Sequence, residues 1–135
     1  MRKQKAVIDA SNILHLEVPR QQKPRIKTIY AVIDAVKASG REPILVVEAA
    51  ALSTVGDPEN RENLLAESFV LSIPDGSDTS RAVLETAKQR DAIVVSNDTY
   101  SDYWEEYPWV ELCRLPAALV DGHVCLLEQR FKKAS

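Results

Sequence analysis

The sequence predicts an α/β fold, a mostly parallel central sheet whose strands alternate with helices and a β-hairpin at the C-terminal end. Three observations predict it. Four short apolar runs rich in β-branched residues, in Lys5–Asp9, Pro43–Glu48, Phe69–Ile73 and Ala92–Val95, have the length of strands. Stretches at helical spacing separate them, and strands alternating with helices build parallel sheets through right-handed crossovers. Ala118–Val120 and His123–Leu127 flank Asp121-Gly122, a strong two-residue hairpin signal.

Taken in order, Lys5–Asp9 is a buried strand ending on a carboxylate, and Ala10-Ser11-Asn12 leaves it, with Asn12 placed to cap a turn or contact a ligand. His15–Lys27 reads as a loop with a basic edge formed by Arg20, Lys23, Arg25 and Lys27. Ile26, Ile29, Tyr30, Ile33, Val36 and Lys37 recur at helical spacing, and Gly40 stands where a helix C-cap belongs. The second strand finishes on Glu48. Ala49–Asn60 reads as a loop with a short helical piece, and Arg61–Glu67 as one or two helical turns. After the third strand, Pro74–Asp78 is a turn by composition. Thr79–Arg90 is helical with Asp78 as a natural N-cap. The fourth strand, inside the stretch Asp91–Tyr103, runs into Ser96-Asn97-Asp98; a helix starting there would put Asp98 and Asp102 on one face. Tyr103–Pro108 would finish that helix, Trp109–Leu115 gives a fifth strand, and residues 129–135 form a basic, frayed tail.

At 135 residues the chain is read as one domain, 1–135, and its 45% hydrophobic and 27% charged content is ordinary for a soluble globular protein. A net charge of −3 provides no global basic field, so a nucleic-acid partner needs a local patch. Cys113 and Cys125 have neither the number nor the spacing of a zinc site or a disulfide framework, and read as buried reduced thiols of a cytoplasmic protein. The apolar start stops at Asp9, too short for a signal peptide, and no run approaches the ~20 residues of a membrane span. The absence of G-x-x-x-x-G-K-[ST] and G-x-G-x-x-G patterns argues against nucleotide-driven or dinucleotide chemistry.

Parallel strands present their C-terminal ends along one edge, where open α/β sheets bind ligands. Here those ends carry Asp9, Glu48 and Asp98, and the turn after the third strand adds Asp75 and Asp78. Each has a structural alternative: Asp78 and Asp98 as helix caps, Glu48 as a solvated strand end. Asp9 is harder to dismiss, because a carboxylate closing a buried run needs a partner. Together they predict an acidic cluster that binds cations or shares protons. Carboxylates without His or Cys favour Mg²⁺ or Mn²⁺ over zinc. The chemistry that follows is metal-assisted phosphodiester hydrolysis, leaving 5′-phosphate and 3′-hydroxyl ends.

Asp9-Ala10-Ser11-Asn12 after an apolar strand resembles the opening motif of the NYN-type PIN-like ribonucleases. The Val-Val-Ser-Asn-Asp-Thr-Tyr-x-Asp core within Ala92–Asp102 is similar to the fourth-strand motif of the regnase-type CCCH zinc-finger ribonucleases. The resemblance implies a three-layer α/β/α PIN-like sandwich and a Mg²⁺-dependent endoribonuclease acting on single-stranded RNA. It implies Asp9, Asp78 and Asp98 as catalytic, metal-binding carboxylates, with Asn12, Ser96 and Asp102 in support. The family commonly has adjacent acidic residues after the third strand. This chain has Asp78-Thr79-Ser80, so only Asp78 carries over, and Glu48 stands ready to supply the missing charge. The family's zinc finger is not in the sequence; a homodimer or an accessory protein are further candidate partners, and a membrane is not.

Arg20, Lys23, Arg25 and Lys27 are candidates for guiding a phosphate backbone, with a solvated loop face as the plain alternative. Tyr100, Tyr103, Trp104, Tyr107 and Trp109 are candidates for base stacking, Trp104 and Tyr103 foremost, with packing under the fourth helix as the competing explanation. Two further functions fit the same residues: a structure-specific DNA nuclease, and an RNA-binding module that has lost cleavage. A phosphoacceptor receiver domain fits poorly, because it expects its Asp at the third strand's end and a Lys after a late strand.

Overall fold

A computed structural model describes residues 3–16, 18–19 and 22–128. Five parallel strands form the sheet, in the order β3-β2-β1-β4-β5: β1 Lys5–Asp9, β2 Glu42–Glu48, β3 Val70–Ile73, β4 Ile93–Val95 and β5 Arg114–Leu115. β6 (Ala117–Val120) and β7 (His123–Leu126) pair antiparallel as the expected hairpin, and positive φ at Asp121 and Gly122 supplies its two-residue turn. The helices are α1 Ala10–Ile13, α2 Ile26–Ala38, α3 Arg61–Leu65 and α4 Thr79–Arg90. Among the described residues, no helix is long and apolar enough to cross a membrane.

Strand alternation divides the apolar residues between two cores. Ala6, Ile8, Leu45, Val47 and Val95 face α2, whose buried stripe is Ile26, Ile29, Val32, Ile33 and Val36, and the hairpin adds Leu119, Val124 and Leu126 on that side. Val7, Ile44, Val46 and Val94 face α4 through Val83, Leu84 and Ala87, with Tyr100 and Tyr107 filling the remaining space. Fully burying each such side chain is worth about 1.5–3 kcal/mol, which is why the middle of β1 at the centre of the sheet, Ala6-Val7-Ile8, is wholly apolar. α2 ends as its sequence predicts: Gly40 takes φ +84, and the Arg41 amide donates back to the Val36 carbonyl at 3.2 Å.

Several expectations fail, among them the fifth strand over Trp109–Leu115, which is confined to Arg114–Leu115 after a 3₁₀ turn at Val110–Leu112. No helix follows β4: Tyr100 adopts φ +56, which breaks any helical continuation, and Ser101–Tyr103 is a single 3₁₀ turn. Asp98 and Asp102 therefore do not share a helix face, and Tyr103–Pro108 does not complete a helix. Cys125 is exposed, because alternation along β7 turns Val124 and Leu126 inward and His123 and Cys125 outward. The tail at 129–135 and the basic residue Arg20 lie outside the described residues.

Candidate active site

The chain reverses direction across the sheet at β1. β2 and β3 are laid down on one side of it, and the α4 crossover then brings β4 in on the other. Asp9 and Asp98 stand at this switch point, the crevice where open α/β sheets bind ligands. Ile8 pairs with Val95, so the carboxylate ending β1 lies level with Ser96, and Asp98 follows two residues later.

Asp9 is 3% exposed and caps α1, accepting from the Asn12 amide at 3.3 Å. Its other oxygen accepts from the Tyr100 hydroxyl at 2.6 Å. Burial pushes the Asp9 carboxyl above its ordinary range, and the negative charge of Asp98 adds to this against the hydrogen bonds from Tyr100 and Asn12. Tyr100 is in turn held protonated by burial and by the charge of Asp9.

Asp98 is exposed and sits on a tightly tied loop. Its amide donates to the fully buried Ser96 hydroxyl at 3.1 Å, and its Oδ1 accepts from the Tyr100 amide at 2.8 Å. The Asn12 side-chain oxygen accepts from the Asn97 amide at 2.8 Å, linking the end of β1 to the end of β4. The Asn97 side chain imitates a strand: its Nδ2 donates to the Ala117 carbonyl at 2.9 Å and its Oδ1 accepts from the Ala117 amide at 2.8 Å. Sequence reasoning misses this clamp, because there Asn97 reads only as a turn former. The single hint is an amide side chain between a buried strand and a loop.

The other acidic residues are disposed differently. Asp78 caps α4 through the Arg81 amide at 3.0 Å, and both its oxygens accept from the Tyr103 hydroxyl at 2.8 Å. Those two donors, the Arg81 amide first, hold its carboxyl below the ordinary range. Glu48 accepts from the Gly76 amide and Asp75 from the Ala50 amide, so both stitch the β2 and β3 loops together. Asp102 is exposed on its 3₁₀ turn. The expected single cluster of strand-end carboxylates is thus one pair whose charges interact, Asp9 and Asp98, while Asp78 is bonded separately at the start of α4. Among the described residues, no three His, Cys, Asp or Glu side chains are grouped closely enough to hold a metal ion.

The pair nevertheless suits a hard divalent cation. Both ligand atoms are oxygens, burial and then the like charge of Asp98 disfavour a bare Asp9 carboxylate, and the hydrogen bonds they accept leave lone pairs free on each. Such an ion takes few protein carboxylates and completes its shell with water and substrate phosphate. Of the aromatic residues, Tyr100 and Tyr107 are buried, so their rings cannot stack on bases. Trp104 is 40% exposed, and its indole N–H donates to the Thr99 carbonyl at 2.9 Å. Lys23, Arg25 and Lys27 are all exposed around the start of α2, which descends from the same edge of the sheet.

The Zc3h12a-like ribonuclease NYN domain family matches residues 2–124. The chain belongs to that family. Two solved structures of nuclear protein-only RNase P 2 (PRORP2) from Arabidopsis thaliana share the fold of this NYN domain. One has a TM-score of 0.74 at 18% identity over 93% of this chain, and the other 0.67 at 15% over 96%. The NYN domain spans 30% of the length of each. No curated protein matches its sequence. The PIN-like α/β architecture and the ribonuclease family expected from the two sequence motifs are both borne out.

Proposed function

We propose that this NYN domain is a metal-dependent endoribonuclease that hydrolyses phosphodiester bonds in single-stranded RNA. The observation that carries the reading is the Asp9–Asp98 pair at the topological switch point of a ribonuclease-family fold. Asp9 and Asp98 would hold Mg²⁺ or Mn²⁺, which when bound lowers the pKa of a coordinated water and offsets charge on the reacting phosphate. Asp9, buried and hydrogen-bonded, is the fixed member of the pair; Asp98, exposed, meets the substrate. Ser96 and Asn12 hold the Asp98 loop through the amides of Asp98 and Asn97. Asp78 acts from the start of α4 and Asp102 at the rim, while Glu48 braces the neighbouring loop. Lys23, Arg25 and Lys27, with Arg20 beside them in sequence, draw the phosphate backbone across this edge.

Cleavage of one labelled sequence as single-stranded RNA, duplex RNA and DNA, with Mg²⁺, Mn²⁺ or EDTA, tests the reading. Single-stranded RNA should be cut only with metal, and Asp98→Asn should lower the rate at least about 100-fold while the fold is kept. Equal cleavage of DNA would favour the DNA-nuclease alternative. A second reading, an RNA-binding module, draws support from the absence of a three-residue metal group among the described residues. RNA binding without cleavage under any divalent metal would establish that reading instead.

A further inference from the structure

We propose that Tyr100 is the positioning residue that sets the two carboxylates against each other, fixing Asp9 with its side chain and Asp98 with its backbone. The proposal rests on the reading of Asp9 and Asp98 as the metal-holding pair. Among the described residues, Tyr100 is the one that bonds to both: its hydroxyl donates to Asp9 Oδ2 at 2.6 Å and its amide to Asp98 Oδ1 at 2.8 Å. The spacing between the carboxylates therefore depends on the length of a rigid phenol.

The backbone is arranged to make this possible. Tyr100 has φ +56 and ψ +34, a left-handed conformation that bulky residues rarely adopt and that persists only where its surroundings over-determine it. Those surroundings are present on both sides. The Thr99 carbonyl accepts from the Trp104 indole and the Tyr100 carbonyl from the Tyr103 amide at 2.9 Å, while the ring is 2% exposed in the core under α4. A right-handed helical φ at Tyr100 would leave its amide on Asp98 but swing its ring, and with it the hydroxyl, away from Asp9. The left-handed turn lets one residue engage a buried carboxylate and an exposed one together. It also leaves Asp98 Oδ2 without a hydrogen-bond donor among the described residues.

A residue that only satisfied a buried Asp9 would affect stability alone, so the test needs readouts that stability does not move. Tyr107 provides the control: it is equally buried, and its hydroxyl bonds Glu85 at 2.9 Å, away from the pair. Tyr100→Phe, Tyr107→Phe and Asp98→Asn are compared with the unaltered protein. Melting temperature, Mn²⁺ affinity without RNA (from the spin-resonance signal of free Mn²⁺), and kcat and KM on single-stranded RNA are measured. Tyr100→Phe should weaken Mn²⁺ binding about 10- to 100-fold and lower kcat similarly, with KM for RNA within about twofold. Tyr107→Phe should change neither while losing comparable stability. Wild-type Mn²⁺ affinity and kcat in Tyr100→Phe, with both lost in Asp98→Asn, would overturn the role of Tyr100 alone. Retention of both in Asp98→Asn would overturn the carboxylate reading itself. If Tyr100→Phe does not fold, Mn²⁺ added to unaltered protein with labelled tyrosine should broaden the Tyr100 ring resonances far more than those of Tyr107. Equal broadening of the two would refute the proposal.

Discussion

Asp9 places a buried carboxylate at the end of β1, the central strand of the sheet, with Asp98 as a like-charged neighbour. Burial dominates its shift, and the Tyr100 and Asn12 hydrogen bonds only partly offset it, so its folded-state pKa lies above the unfolded value. The folded protein then binds more protons than the unfolded chain between those two values. Stability from this group consequently falls as pH rises through that window, and the full cost is reached above the folded-state value. Asp9→Asn in EDTA is expected to raise the melting temperature at pH 7 while abolishing the cleavage that the unaltered protein shows with metal. A lower melting temperature would show that the Tyr100 and Asn12 bonds outweigh the burial. Asn97 has the opposite character, a polar side chain acting purely as structure. Removing its two bonds in Asn97→Ala should cost about 1–3 kcal/mol in urea unfolding and speed amide exchange at Ala117.

α2 has no capping side chain of its own: Arg25 occupies the N-cap position and makes no side-chain cap bond. The cap comes from Asp57, 1% exposed, whose oxygens accept from the Ile26 amide at 2.6 Å and the Lys27 amide at 2.9 Å. Asn60 adds a third donor at 3.1 Å. Burial pushes the Asp57 carboxyl up, but these bonds outweigh it and leave the pKa below its ordinary value. Its contribution is therefore full above about pH 4 and is lost as pH falls through the depressed folded value. Asp57→Ala should lose about 2 kcal/mol at neutral pH and show a flatter dependence of stability on pH in the acid range than the unaltered protein. Because α2 begins beside Lys23, Arg25 and Lys27, the same substitution should also loosen the basic edge.

Across the whole molecule, charge is separated by position rather than by net value. The chain carries −3 overall, yet the start of α2 presents cations on the edge where Asp98 opens to solvent beside the buried Asp9. Ribonucleic acid would meet attraction at the flank and, without a divalent ion, repulsion at the centre. Lys23→Ala, Arg25→Ala and Lys27→Ala together should weaken RNA binding regardless of sequence. Measured by fluorescence anisotropy across a salt series, they should reduce the slope of log affinity against log salt by roughly 0.7 for each phosphate of a single strand that the altered side chains no longer neutralise. An unchanged slope would move the RNA path away from this edge.

Local chemistry makes much of this legible. β-Branched runs mark four strands, Asp121-Gly122 marks the hairpin, Asp78 and Gly40 mark helix ends, and the two motifs around Asp9 and Asp98 point to the family. These depend on propensity and short-range geometry, which neighbours in sequence largely determine. What sequence spacing does not supply is the choice of partner among groups far apart in the chain. Tyr100 reads as a base-stacking candidate until the fold sets its hydroxyl on a carboxylate 91 positions away. Asp57 reads as a loop residue until it caps a helix that begins 31 positions before it. The five acidic residues at the strand mouths read as one cluster, but strand order and loop amides separate them into one interacting pair and individually bonded groups. Sequence alone determined four strands, α2, α4 and the hairpin, and that acidic residues gather at one edge of the sheet. Only tertiary structure decided which acids meet there, because a buried polar group takes whichever partner the packed core brings within reach.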